Sequence, residues 1–287
     1  MHGMWKARSA KLIVAASLSV LFVAGLIFFY RTALAHALWE GIHLESARML
    51  APNDPKLLYE MGSYFLNTRD DAYSIKKAET YLKKAAFIMP HFPYVHHELA
   101  RIYFLRSDFA TALAHITIEI SEHGDAQANS YYVRGLIEGF MTDYEAAARD
   151  YELYLSREPS NWAGLNDYAW VLLKSNCPRD ARAATEHGLQ LFPENPWLLS
   201  SHSIALFELG EKEAALKKAR DAVKAAMAIT EKDWLTAYPG NDPRIAPEGV
   251  YALQDSLREN MRSIQTGSIM DVSKTDVVSR AMCGRRL

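Results

Sequence analysis

From residue 53 to residue 227, apolar positions recur at spacings of three and four, in blocks separated by polar turns. Leu58, Met61 and Phe65 make one such stripe, and Ala78, Leu82 and Ala85 make the next. This is the period of an amphipathic helix. The blocks come in pairs: an apolar helix, a polar turn, an alanine-rich helix, then a junction at Pro or Asn. Ala78, Ala112, Ala147, Ala181 and Ala215 stand 34, 35, 34 and 34 residues apart. Pro90, Pro159 and Pro193 keep the same beat, at 69 and 34 residues. A sustained period of this length predicts stacked helical hairpins, because one hairpin cannot bury its apolar face alone.

The two ends depart from the period. Leu12–Tyr30 reads LIVAASLSVLFVAGLIFFY, with no charge. At ~1.5 Å per residue it spans roughly 28 Å, about one hydrocarbon core. Lys6, Arg8 and Lys11 precede it with no acidic residue among them. The positive-inside rule then keeps residues 1–11 in the cytoplasm and places the repeats outside it. The alternative is a cleaved signal ending at the A-x-A tripeptide Ala35-His36-Ala37. Residues 36–52 read as a half repeat, through Ala47 and Pro52. Glu211–Trp234 reads as one long amphipathic helix. Tyr238-Pro239-Gly240-Asn241-Asp242-Pro243 breaks structure. Val250, Leu253, Leu257 and Met261 then predict a helix capping the last repeat, so that 234–262 is a loop plus cap. Residues 263–287 are polar and read as a mobile tail.

Composition narrows the function classes. The 287 residues are 49% hydrophobic and 23% charged, enough to build a core. Lys+Arg number 32 against 34 Asp+Glu, for a net charge of -2, which argues against a polyanion-coating or nucleic-acid-binding protein. The 2 cysteines exclude a disulfide-stapled scaffold or a cysteine-rich zinc fold. Cys177, in a turn, and Cys283, in the tail, can pair if the repeats lie outside the cytoplasm.

The repeated positions resemble the tetratricopeptide (TPR) family. The first repeat carries Leu58, Met61, Gly62 and Phe65, then Ala78, Leu82, Ala85 and Pro90, with a turn four residues longer than usual at Asn67–Tyr73. The second has Leu99, Ala100 and Tyr103, then Ala112 and Ile116. The third has Tyr131, Gly135, Ala147, Tyr151, Tyr154 and Pro159. The fourth has Leu165, Tyr168, Ala169, Leu172, Ala181 and Pro193. The fifth has Leu199, Leu206, Gly210, Ala215, Ala219 and Ala222. Three places depart from the family pattern: Glu119 where a small residue is expected, Glu138 where an apolar one is, and His202-Ser203 in place of a large-small pair. The resemblance implies an all-α, TPR-type α-solenoid, a right-handed superhelix of five repeats over 53–233, here preceded by one transmembrane helix at 12–30.

It also implies a concave groove lined by the first helix of each repeat. Mapped by family geometry, the positions with most promise for contact are Tyr59, Tyr94, His97, Arg101, Tyr132, Asn166, Trp170 and Trp197. The set is aromatic with few charges, which suits a protein or peptide partner. The chaperone-tail subclass uses Lys and Asn where this chain has Tyr59 and Ser63, so a clamped C-terminal carboxylate is not expected. Five of the 10 His lie between 91 and 123, but the neighbours His96 and His97 point apart on a helix, and no HExxH, CxxC or CxxCH occurs. No catalytic site, metal, cofactor or small-molecule substrate is expected. The function expected is a single-pass membrane adaptor, holding a protein partner in an envelope-assembly, secretion or polysaccharide-export complex. The alternatives are a structural subunit whose groove is filled by its own C-terminal segment, and a glycan-binding carrier.

Overall fold

The computed structural model describes residues 19–27, 30–39, 44–124, 126–267 and 283–284. The basic segment 1–11, the first part of the apolar run and tail residues 268–282 lie outside the described residues. Helices α1 (Ser19–Ile27) and α2 (Tyr30–Trp39) come first. Then follow α3 (Leu44–Leu50), α4 (Pro55–Asn67), α5 (Ile75–Ile88), α6 (Val95–Leu105) and α7 (Phe109–His123). The later pairs are α8 (Ala128–Phe140) with α9 (Tyr144–Arg157), α10 (Trp162–Lys174) with α11 (Pro178–Leu191), and α12 (Pro196–Glu208) with α13 (Lys212–Ala226). Short α14 (Glu231–Ala237), a 3-10 turn at Pro243–Ile245 and α15 (Ala246–Thr266) are the last elements among the described residues. No strand occurs among the described residues.

The five expected hairpins are α4–α5, α6–α7, α8–α9, α10–α11 and α12–α13, and each packs on the next. Their starts are set locally. Asp54, Asp108, Asp143, Asn161 and Asn195 each accept a hydrogen bond from a backbone N–H in the first helical turn. Such caps stabilise a helix by ~1 kcal/mol each. The periodic alanines Ala78, Ala112, Ala147, Ala181 and Ala215 all have no exposed surface. Beside them Leu82, Ile116, Tyr151 and Tyr168 fill the space between helices.

The turn inside each later hairpin is one repeated device. Ser107, Thr142, Asn176 and Gly210 hold positive φ of 59°, 66°, 57° and 83°. In each, the next residue's N–H bonds a carbonyl five residues back, as Asp143 N does to Glu138 O at 2.9 Å. Only the fifth repeat places glycine there. Threonine is the worst suited, because its branched Cβ crowds the carbonyl in left-handed backbone.

The ends differ from the sequence expectation. The long helix expected at 211–234 is two helices, α13 and α14. Thr230 and Asp233 form a capping box that starts α14 afresh, with Asp233 N donating to Thr230 Oγ1 at 3.2 Å. The half repeat is larger than 36–52, because α2 also packs on the first repeat, with Ala35 fully buried beside Ala47, Leu57 and Met61. The capping helix runs past 262 to Thr266. It packs on α13 through Leu257, Ala222 and Ala226, and through Ile264, Ala215 and Ala219. Among the described residues, no single helix is long and apolar enough to cross a membrane; α1 and α2 meet the length and composition only as a bent pair.

Thr142→Gly is expected to stabilise the fold by about 1 kcal/mol by relieving the left-handed turn. A urea melt followed by circular dichroism checks it, and an unchanged or lower midpoint would refute the strain.

Candidate protein-binding groove

The first helices α4, α6, α8, α10 and α12 lie side by side, and polar side chains tie each to the next. Ser63 donates to Glu98 at 3.5 Å, and Arg101 donates to Asn67 at 2.9 Å and to Glu98 at 2.6 Å. His97 Nδ1 meets Ser130 Oγ at 3.0 Å. Tyr132 donates to Asp167 at 2.7 Å, and Ser201 donates to Asn166 at 2.8 Å. Apart from Arg101–Glu98 on one helix, these partners are 33 to 35 residues apart, one repeat along the chain. Burial pushes the Asp167 carboxyl up to about 6, opposed by the bonds from Tyr132 and Asn166.

This ladder uses several of the residues expected to face a partner. His97 is 3% exposed, and burial pushes its imidazole down to about 4. Arg101 is held by Asn67 and Glu98. Tyr132 packs against Tyr151 and Tyr154. Asn166 bridges Asp167 and Ser201. Trp170 packs on Phe140 and Tyr144 and closes over Gly139, where an added Cβ would come within 2.8 Å of its ring. The neighbouring histidines take separate partners: His91 pairs with Glu122, and His96 stacks on His115.

Trp197 leads to a feature that sequence reasoning placed only as an alternative. Its ring lies 5.0 Å from Trp162, and its Nε1–H donates to Tyr238 Oη at 2.8 Å. Tyr238 opens the loop between α14 and α15. Two residues on, Gly240 O accepts from Tyr73 Oη at 2.7 Å. Gly240 has φ +89°, and an added Cβ there would stand 2.8 Å from Arg101 Nη2. The loop therefore reaches from the fifth repeat to the first and second, across the side lined by the first helices. Its base is closed, since Trp234 of α14 packs so tightly on Gly249 of α15 that no Cβ fits. The extra residues of the 67–73 turn are what bring Tyr73, 8% exposed, to the loop.

What stays open is the amino-terminal end of the groove. A cavity of 530 Å³ there is lined by Trp39, Tyr59, Glu60, Ser63, Tyr64, Asn67 and Thr68. Tyr59 leans on Phe92 at 5.5 Å, and burial pushes its hydroxyl up to about 12. Tyr94, 39% exposed, sits at the start of α6. Trp39, Tyr64, Tyr73 and Tyr238 are the groove residues the repeat register missed, since all four lie outside the first-helix positions that it nominates or outside the repeats.

Two family departures have physical explanations. Glu119 has no exposed surface; its carboxylate accepts from Tyr94 N at 2.8 Å and His97 N at 3.1 Å. It thus caps α6, whose own cap residue Tyr94 offers no side-chain bond. Glu138 is the opposite case. Burial, then the charge of Asp150, push its carboxyl up to about 8, and its Oε2 has no hydrogen-bond partner. Arg134, which offsets this in part, is committed to Asp150 through bonds of 2.6 and 2.8 Å. Cys177 and Cys283 form a disulfide with Cα atoms 5.4 Å apart, and Gly284 N donates to Asp180 beside it at 2.8 Å.

Glu119→Ala is expected to cost about 2–4 kcal/mol, since it strands two backbone donors; a urea melt reads it. Glu138 carries the opposite sign. With a folded pKa above the unfolded value, its contribution is complete below the ordinary carboxylate range and is lost as pH rises through about 8. Wild type should lose about 2 kcal/mol between pH 5 and pH 9 that Glu138→Gln retains, after discounting for partial exposure. Parallel pH–melt curves for the two would refute this.

No family model and no curated protein matches the chain. Solved structures do resemble it. PilW, described as a widely conserved type IV pilus biogenesis factor, is 13% identical, with 73% of this chain and 98% of that chain covered and a TM-score of 0.59. A tetratricopeptide repeat protein from Parabacteroides merdae ATCC 43184 is 12% identical over 84% and 99%, at 0.55. YrrB, described as a TPR protein with an unusual peptide-binding site, is 10% identical over 64% and 93%, at 0.54. The solenoid is accordingly TPR-like in fold.

Proposed function

We propose that this protein is a non-catalytic adaptor, tethered to a membrane through residues 12–30, that holds a protein segment at the open end of its groove. The observation that carries the reading is the aromatic cavity of Trp39, Tyr59 and Tyr64, with Tyr94 beyond it. Aromatic side chains give large contact area at low entropic cost. The neighbours add support: YrrB is described by its peptide-binding site and PilW by pilus biogenesis. The setting proposed is an envelope-assembly, secretion or export complex. The repeats lie outside the cytoplasm in this reading. A disulfide supports that, since such bonds persist in oxidising compartments. The buried Ala35 supports a retained anchor, because cleavage after Ala37 would remove a residue packed in the first repeat.

One observation favours the self-filled groove of a structural subunit: the Tyr238 loop already occupies the stretch between the fifth repeat and the first two. The two readings divide the groove between them, and only the open end is assigned to a partner. A photocrosslinking residue at Tyr94, compared with one at the exposed Leu153, tests this in the full chain in its membrane. A discrete protein adduct at Tyr94 and none at Leu153 is expected. Adducts at Leu153 alone would move the partner off the groove, and a crosslinked glycan would turn the reading to a carrier.

A further inference from the structure

The edge at which the chain enters the solenoid can be located from contacts alone. His36 of α2 lies 3.3 Å from Asp54, the cap residue of α4, and 3.5 Å from Glu60. Trp39, further along α2, packs on Tyr64, further along α4, at 5.6 Å. The two helices therefore run the same way, and Tyr30 projects about 9 Å beyond His36 on the Asp54 side. That side is the junction edge, where second helices end and first helices begin. Its other members include Pro52 and the end of α5, which are joined where Lys84 Nζ donates to Pro52 O at 2.6 Å.

Two large apolar side chains stand out on this edge. Met49 is 77% exposed and Phe87 is 87% exposed. Each lies three residues before a junction proline, Pro52 and Pro90, so they occupy one register position on successive second helices. The same position holds exposed Ser156 before Pro159 and exposed Gln190 before Pro193. The apolar choice is thus confined to the two units next to the apolar run, of which Val20, Leu21 and Phe22 are 67–68% exposed. The charges nearby are suited to an anionic surface. Lys84 keeps two donors free of its single bond to Pro52. Lys56, 64% exposed, sits in the first turn of α4, its Nζ 3.7 Å from Glu60 in a loose pair that leaves the ammonium open to solvent. The acids of the edge, Asp54 and Glu60, are already engaged with His36.

The geometry points to a second membrane contact: this junction edge rests on an anionic bilayer, with Met49 and Phe87 in the interfacial layer and Lys56 and Lys84 against the headgroups. An exposed aromatic beside lysines on an amphipathic helix is the chemistry of interfacial binding. The contact rests on the reading of residues 12–30 as a membrane anchor. It fixes the tilt of the solenoid, since two adjacent second helices and the anchor then touch one plane.

The test uses the full chain in nanodiscs of phosphatidylcholine and phosphatidylglycerol, some lipids carrying a nitroxide on the acyl chain. An environment-sensitive fluorophore is attached at Val20→Cys, Met49→Cys, Phe87→Cys or Gln190→Cys, one at a time, with the native disulfide intact. Blue-shifted emission and nitroxide quenching are expected at positions 20, 49 and 87 and neither at 190. Quenching at position 20 with 49 and 87 behaving like 190 overturns the contact and leaves the anchor standing. Quenching at none of them overturns both. Equal quenching at 87 in discs of phosphatidylcholine alone overturns the role given to the lysines.

Discussion

Five alanines, one per repeat, have no exposed surface because each lies where two helix backbones come together. That closeness has a direct consequence. A hairpin closed on small residues still leaves apolar surface on its outer faces, and the next hairpin must cover it. Leu82 and Tyr151 fill the crossing inside their own hairpins, over Gly62 and Gly135, while Tyr154 and Leu198 reach Gly164 and Gly188 across the junctions between hairpins. Everything else depends on this stacking: the lateral ladder of polar bonds, the groove along the first helices, and the need to cap both ends. At the carboxyl end α15 covers the last hairpin, and at the amino end α2 and α3 do the same for the first.

Stacking brings the first helices close enough to share polar groups, and this limits what the groove can offer a partner. Arg101, Tyr132 and Asn166 spend their hydrogen bonds on the neighbouring repeat. Such bonds inside a partly dry surface fix the angle between repeats more firmly than apolar contact would, because their geometry is directional. A groove of fixed curvature favours a partner of matching shape over one that must be wrapped. At the aromatic end near Tyr59 and Tyr94 the ladder begins, with Ser63 and Asn67 bonded to the second repeat and the rings of Trp39, Tyr59 and Tyr64 lining the cavity beside them.

The solenoid was legible in the sequence because one small residue per hairpin leaves a strict period, and every periodic alanine proved buried. Hairpin boundaries were legible from the polar turns and the Pro or Asn junctions, although Tyr94, Gln127, Cys177 and Glu211 start their helices with no side-chain cap bond. The groove was less so. Register assigns a residue to a face, but it does not say whether a side chain on that face meets solvent, the next repeat or a distant segment. His97 and Trp197 sit at the expected positions and still face Ser130 and Tyr238. The break between α13 and α14 carried no Gly or Pro, only the Thr230–Asp233 box, which is easily read as helix interior. The four extra residues before Tyr73 were visible as an insertion, but their use depends on a residue 167 positions away.

That distant bond changes how the molecule should come apart. Repeat arrays are close to one-dimensional: each unit feels only its neighbours, and unfolding can start at an end and travel inward. Here Tyr73 of the first repeat holds Gly240 beyond the fifth, and a covalent link ties the fourth-repeat turn at Cys177 to the tail at Cys283. Fraying at one end then breaks contacts at the other. The chain should behave as a single cooperative unit, with a steep transition in place of gradual melting. It should also fold more slowly than an open array of the same length, because a closure over so many residues must wait for most of the repeats to be in place.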